Sequence, residues 1–358
     1  MLPAVADREI PPPERKGCVV SLYQCVKSVE NPLGLTRTLG QFKVLGYCTG
    51  NSAAIFEVLA DDGRHLRLKC YTRPKENLEA IYGNRLLKEE LYVYTGDGGV
   101  WIDVVVDEWI EGETLGVVIR RAAAEGDTER LAVLAGRFDM MAREMLSHDW
   151  AHGDLKPDNI IVTTDGWLRM IDFDAVYLPA LRRTRSRELG TAAWQHPSRS
   201  YSDYDRNLDD YPIAMISTLL HALAVDTAIL GRYADADGMP LDSCRIAEER
   251  CAALDHIERM FAEGGMAVQY RVARLLHSRA YILPQLAEYL SYNDFAGEWL
   301  GTPELFRHDG FYGVSCGGQH IVPPLYDDIL YVGCDEAEVV LGGVCHNVKF
   351  VRPECQKD

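Results

Sequence analysis

Apolar and polar residues alternate along His65-Leu66-Arg67-Leu68-Lys69-Cys70-Tyr71, the pattern of a strand buried on one face. Two further strands joined by a glycine-containing turn are predicted over residues 44–58, and another over 101–112. The intervening stretch 76–92 reads as a helix. Beyond residue 112 the period lengthens, and apolar side chains recur at helical spacing over 128–147 and 212–224. The same spacing continues from 218 to 292, most clearly over 246–261 and 268–290, where Leu, Met and Tyr stripes read as core. Within the helical part, Ile160-Ile161-Val162, the turn Thr164-Asp165-Gly166 and Leu168-Arg169-Met170-Ile171 predict a β-hairpin. Near Phe295 short strands return, at Phe311-Tyr312-Gly313-Val314, at 319–329 and at 337–343. The succession predicts an α+β chain in four segments. These are a tail and extension over 1–39, a β-rich lobe over 40–112, a helical lobe over 113–295 and a small β module over 296–358. Within the first, residues 1–15 read as a flexible tail and 18–39 as an extension packed on the β-rich lobe.

Composition narrows the function classes. With 358 residues and 47% hydrophobic content, the chain can bury two lobes and an extra module. Its net charge of -17 argues against nucleic-acid and anionic-membrane partners, which need a basic surface. No run approaches the roughly 18 apolar residues of a membrane helix. The start of the chain, with Pro11-Pro12-Pro13, has no signal-peptide core, so a cytoplasmic location is expected. The 10 cysteines are scattered without C-x-x-C pairs, which points to reduced thiols.

The densest chemistry lies at His152-Gly153-Asp154-Leu155-Lys156-Pro157-Asp158-Asn159, followed by Asp172-Phe173-Asp174. Transfer of a phosphoryl group needs an attacking hydroxyl held in line and negative charge neutralised by metal and cation. Asp154 would orient the hydroxyl proton and Lys156 would offer its ammonium to the transferred phosphate. Asn159 and Asp172 supply the hard oxygen ligands that Mg²⁺ prefers. The predicted hairpin returns Asp172 to the neighbourhood of Asn159.

These residues resemble the protein-kinase superfamily, whose catalytic loop reads H-R-D-L-x-x-x-N and whose metal loop reads D-F-G. The resemblance implies a two-lobed kinase-like fold, ATP and Mg²⁺ as cofactors, and a protein substrate phosphorylated on Ser or Thr. Gly153 replaces the usual Arg, which puts switching by activation-segment phosphorylation in doubt, and Asp174 replaces the Gly of D-F-G. Small-molecule phosphotransferases also use H-G-D, but usually carry His where Lys156 stands here. Upstream, Cys48, Gly50, Ala53 and Ile55 fall on the marked positions of G-x-G-x-x-G-x-V, so Gly50, Asn51, Ser52 and Ala53 are the candidate phosphate cradle. Lys69 takes the place of the lysine that binds the α/β-phosphates, and Glu79, with Glu89 and Glu90 as competitors, that of its glutamate partner. Backbone groups of Glu108 and Ile110 would meet the purine. Asp107 falls at the gatekeeper, where a buried carboxylate must be paired or protonated, and a Lys69 to Asp107 pair is conceivable.

Downstream, Gly190-Thr191 and Trp194-Gln195-His196-Pro197 resemble the substrate platform, without the final Glu of A-P-E. Asp209 matches the aspartate that braces the catalytic loop, in which His152 is also structural. Together these phrases resemble a bacterial branch of eukaryotic-like kinases. Arg182, Arg183, Arg185 and Arg187 could grip an acidic substrate or a phosphorylated residue, or simply form a solvated loop. The last segment resembles a WG repeat with Tyr312 in place of Trp, a module expected to pack on the helical lobe, bind a partner or self-associate. Two alternatives to a Ser/Thr protein kinase remain open: a pseudokinase scaffold that binds nucleotide or protein, and a small-molecule phosphotransferase.

Overall fold

The computed structural model describes residues 36–49, 52–71, 73–95, 98–234, 238–292, 303–333 and 335–350. The expected tail over 1–15 and most of the extension over 18–39 lie outside them. The chain divides after Glu111 into two compact units.

The first unit is an antiparallel sheet of strands β1 (Phe42–Thr49), β2 (Ala53–Ala60), β3 (His65–Tyr71), β4 (Leu86–Thr95) and β5 (Gly98–Glu108), in the order β1-β2-β3-β5-β4. Alternation along β3 divides its side chains between two faces. Leu66, Leu68 and Cys70 join Phe42, Phe56, Val58, Leu91 and Val104 in one apolar cluster. Burial there pushes the Cys70 thiol up to about 12, so it stays protonated. Lys69 is on the opposite face, across from Val105, which packs with Tyr82 and Leu86.

Residues 76–92 do not form the expected helix. Only α1 (Leu78–Tyr82) is helical, followed by a 3-10 turn at Gly83–Arg85 and then β4. The β4–β5 register shifts between Leu87 and Leu91, and Glu89 sits at this bulge with φ +47°. The two acidic residues looked like a helical face, but Glu90 is buried and accepts hydrogen bonds from Thr38 N (2.7 Å), Thr38 Oγ1 (2.6 Å) and Leu39 N (2.7 Å).

The second unit begins with β6 (Gly112–Thr114), α2 (Leu115–Glu125) and α3 (Thr128–Ser147). Thr114 caps α2, accepting from Val117 N at 3.4 Å, and Asp127 caps α3, accepting from Arg130 N at 2.9 Å. Strands β7 (Ile160–Thr163) and β8 (Leu168–Met170) form the predicted hairpin, and β6 pairs with β7. Helix α4 (Asp210–Val225) is apolar nearly all round and correspondingly buried, as a core helix must be. Its polar contacts are internal: Ser217 Oγ and His221 Nε2 meet the buried Asp139 carboxylate of α3 at 2.7 and 2.8 Å.

Shorter helices complete this part: α5 (Ala228–Tyr233), α6 (Ser243–Ala247), α7 (Ala252–Glu263), α8 (Ala267–Leu275) and α9 (Leu286–Ser291). The helix expected over 246–261 is interrupted where Glu249 adopts φ +54°, and that over 268–290 ends at Leu275. Pro284, which lies between α8 and α9, cannot continue a helix interior. Among the described residues, no helix is long and apolar enough to cross a membrane.

The C-terminal module contains two three-stranded antiparallel sheets. One is β9 (Pro303–His308), β10 (Phe311–Cys316) and β11 (Gln319–Tyr326); the other is β12 (Asp328–Val332), β13 (Glu336–Leu341) and β14 (Val344–Lys349). Strand β9 has no counterpart in the sequence expectation. Val314, Val322, Leu325, Val339 and Leu341 belong to the same apolar cluster as the helices, so the module completes their core. Arg271 of α8 ties the two parts together. It is 5% exposed, donates from Nε to Leu325 O (2.6 Å) and from Nη2 to Asp327 Oδ1 (2.8 Å), and stacks 3.7 Å from the Phe311 ring centre.

Replacing Arg271 with Ala removes both hydrogen bonds and the ring contact, and leaves a buried carbonyl unsatisfied. We expect a loss of about 2–4 kcal/mol in urea unfolding. A change within about 0.5 kcal/mol would show that the module holds without this clamp.

Candidate functional site

The candidate loop follows α3. Ala151 and Tyr177 exchange backbone hydrogen bonds at 3.2 and 2.8 Å, closing the segment between them into a compact turn. His152 is fully buried, with its Nε2 2.8 Å from Ile171 O and its ring 5.0 Å from that of Phe173. Ile171 N donates to Asn159 O at 2.9 Å, so the hairpin brings the chain back beside the loop, with Asp172 next. Asp172 adopts φ +67°, a left-handed conformation that Asp tolerates better than most residues.

Asp209, at the start of α4, fixes the loop backbone. Its buried carboxylate accepts the N–H of His152 through Oδ2 and that of Gly153 through Oδ1, the latter at 2.9 Å. Burial pushes the Asp209 carboxyl up from its ordinary value, while the His152 charge, these two amides and Arg199 pull it back. Gly153 has φ +80°, and a Cβ there would lie 2.2 Å from Ala175 O. The backbone therefore excludes any side chain at this position.

On this scaffold Asp154, Lys156, Asn159 and Thr191 converge. Asp154 Oδ1 accepts from Thr191 N at 2.6 Å, and its Oδ2 lies 3.5 Å from Lys156 Nζ and 3.3 Å from Asn159 Nδ2. Lys156 Nζ donates to Thr191 Oγ1 at 2.7 Å, and Asn159 Nδ2 donates to Asp154 O at 2.8 Å. With the Asn159 amide nitrogen committed in this way, its Oδ1 is the atom that could take a cation. Gly190 has φ +74° and lies so close to the loop that a Cβ would be 2.9 Å from Asp154 Oδ1. Carboxylate, ammonium, amide and hydroxyl thus share one hydrogen-bonded set.

Sequence reasoning missed Arg199. It is 6% exposed and donates from Nη1 to Gly153 O (2.7 Å) and Gln195 Oε1, and from Nη2 to Glu188 O (3.4 Å). Burial pulls its guanidinium below the ordinary value, and the Asp209 and Asp154 charges hold it up. Its Nε and Gln195 Nε2 are buried without an acceptor. The missing Glu after Pro197 was the available signal, because it left that end of the segment to be secured some other way.

In the first unit, Gly50 and Asn51 lie outside the described residues. Around them Cys48 pairs with Ile55 and Thr49 with Ala54, so the expected hairpin carries Ser52 and the buried Ala53. Lys69 is 2% exposed, and its ammonium is 5.2 Å from the Tyr71 ring centre. Glu79 does not serve as its partner. The Glu79 side chain is exposed and its ion pair is with Lys88, at 4.0 Å. The conceived pair of Lys69 with Asp107 does not form either. The Asp107 carboxylate is held by Arg67 Nη2 (2.5 Å) and Arg85 Nη1 (2.8 Å), because Arg67 lies directly opposite Asp107 in the β3–β5 ladder. Glu108 pairs with Leu66 at the end of β5, and Ile110 lies two residues further on.

No protein-family model matches the chain, and no curated protein matches its sequence.

Beside Asp209, burial pushes the Asp210 carboxyl from 3.8 to about 7, opposed by its bond from Leu283 N at 2.8 Å. A carboxyl raised in the folded state contributes stability that is complete below its unfolded pKa and lost as pH rises through the folded one. Between about pH 4 and pH 7, wild type should therefore lose about 2–4 kcal/mol relative to Asp210→Asn in urea unfolding. Parallel pH profiles for the two proteins would refute this.

Proposed function

We propose that the chain is an ATP- and Mg²⁺-dependent protein kinase that transfers the γ-phosphoryl group to a Ser or Thr hydroxyl of a protein. The observation that carries this reading is the single hydrogen-bonded set of Asp154, Lys156, Asn159 and Thr191 on a loop braced by Asp209. Its donors suit the cofactor, since the Asn159 amide oxygen and the Asp172 carboxylate are hard ligands appropriate to Mg²⁺. When bound, MgATP supplies the phosphoryl group and the metal charge that stabilises it in transit.

The chain's own residues do the positioning. Asp154 accepts the hydrogen bond of the incoming hydroxyl and orients it in line. Thr191 N–H and Lys156 hold that carboxylate aimed. Lys156, with its ammonium on Asp154 and Thr191, is placed to neutralise phosphoryl oxygens. Lys69 is the candidate phosphate-binding cation of the first unit. Arg199 braces Gly153 O, Gln195 and Glu188 O from within the folded segment. Activity is accordingly expected without prior phosphorylation.

A scaffold that binds nucleotide or protein without transfer is the second reading. Its specific support is Glu79, which pairs with Lys88 rather than Lys69.

Asp154→Asn keeps the shape of the loop but removes the charge that orients the hydroxyl. Phosphate transfer from labelled ATP to protein should fall at least about 100-fold, while Mg²⁺-dependent thermal stabilisation by ATP persists. Wild type treated with phosphatase should retain its rate. Transfer that survives in Asp154→Asn would refute the assignment, and nucleotide binding without any transfer by wild type would favour the scaffold.

A further inference from the structure

The chain carries 37 Lys and Arg against 54 Asp and Glu, yet four of the six residues 182–187 are arginine. All four are exposed. The segment that presents them is pinned at several points. Leu181 ends a short turn, Pro179–Leu181, and is buried; Thr184 N donates back to Leu181 O at 2.9 Å. Ser186 is 3% exposed, with its N–H on Tyr201 O at 3.0 Å and its hydroxyl on Glu188 O at 2.5 Å. Buried anchors at 181 and 186 thus turn the intervening and flanking arginines outward.

Their position relative to the chemistry is set by the chain. Arg187 is four residues before Thr191, whose N–H bonds Asp154, and so lies within about 14 Å of it along extended backbone. Arg182, Arg183 and Arg185 form no ion pair with any described residue, although acids outnumber bases across the chain. Three exposed guanidinium groups unrecruited by any carboxylate among the described residues are available to carboxylates from outside. Guanidinium forks match such groups in pairs of parallel hydrogen bonds. Ser186 does not compete as an acceptor of phosphate, because its hydroxyl is enclosed and committed.

We infer that the substrate class of this site is an acidic protein segment, in which Asp or Glu residues flanking the phosphorylated Ser or Thr are held by Arg182, Arg183 and Arg185. This rests on the kinase reading above. The arginines select and hold the substrate, and Asp154 and Lys156 act on its hydroxyl.

Three peptides with one Ser acceptor and flanks of Glu, Gln or Lys test the inference on the full chain with MgATP. The Glu peptide should show kcat/KM at least about tenfold above the Gln peptide, with the difference carried by KM and shrinking as salt screens the charges. The R182E/R183E/R185E variant should reverse the order and favour the Lys peptide, a rescue that a merely structural role could not produce. Similar kcat/KM for the Glu and Lys peptides in wild type, or a preference unchanged in the variant, overturns the substrate class while leaving the kinase reading in place. Absence of transfer to all three peptides overturns both.

Discussion

A single buried carboxylate organises the second unit. Asp209 sits where α4 begins, and its two oxygens accept the consecutive amides of His152 and Gly153. Withdrawing a carboxylate from water is costly unless charged or hydrogen-bonding partners replace the solvent. Here two amides and a neighbouring guanidinium do so, and the compensation is available only when loop, helix and Arg199 are all in place. The same contact that makes burial tolerable therefore makes the loop geometry cooperative with the helical core. Once the backbone at 152–153 is fixed, Asp154 is aimed at Thr191 and the ammonium of Lys156 follows.

The glycine at 153 takes its meaning from this constraint. A residue with φ +80° and Ala175 O pressed against its Cα cannot carry an arginine side chain. The absence of a side chain at 153 is therefore built into the way the loop passes the 173–175 turn. A guanidinium is nonetheless present nearby: Arg199 approaches from the far end of the segment and bonds Gly153 O. The donors left without acceptors at Arg199 and Gln195 are the cost of packing this brace so tightly.

Much of this was legible from residue order alone. Strand β3 and helix α3 occupy the stretches where the apolar period announced them, and the 160–171 hairpin forms around Thr164-Asp165-Gly166. Short-range rules worked there because the apolar period of each element marks the face that packs in a core. They failed where tertiary bonding decided the conformation. Glu89 and Glu90 read as a solvated helix face, yet one occupies a bulge and the other is buried under three hydrogen bonds from Thr38 and Leu39. Glu249 interrupts a helical stretch without glycine or proline to signal it, whereas Pro284 marks in the sequence itself that no helix runs through to 290. In the site, the loop residues were visible as a motif. Arg199 was not, because an arginine in a polar stretch is ordinarily solvated and only the fold reveals that this one is enclosed.

The ion pairs of the first unit also show how Asp107 is accommodated beside Lys69. A lone carboxylate on the same face of the sheet as Lys69 would draw the ammonium towards itself or take up a proton. Antiparallel register instead sets Arg67 directly across from Asp107, and the 3-10 turn after α1 delivers Arg85 to the other oxygen. Two fixed guanidinium groups saturate the carboxylate, so its field at Lys69 is largely cancelled within a few ångströms. The acid at 107 and the arginine at 67 are accordingly one device. Removing the acid alone would add two uncompensated positive charges to this face, whereas removing it together with Arg67 and Arg85 would leave the electrostatics of Lys69 nearly as they are.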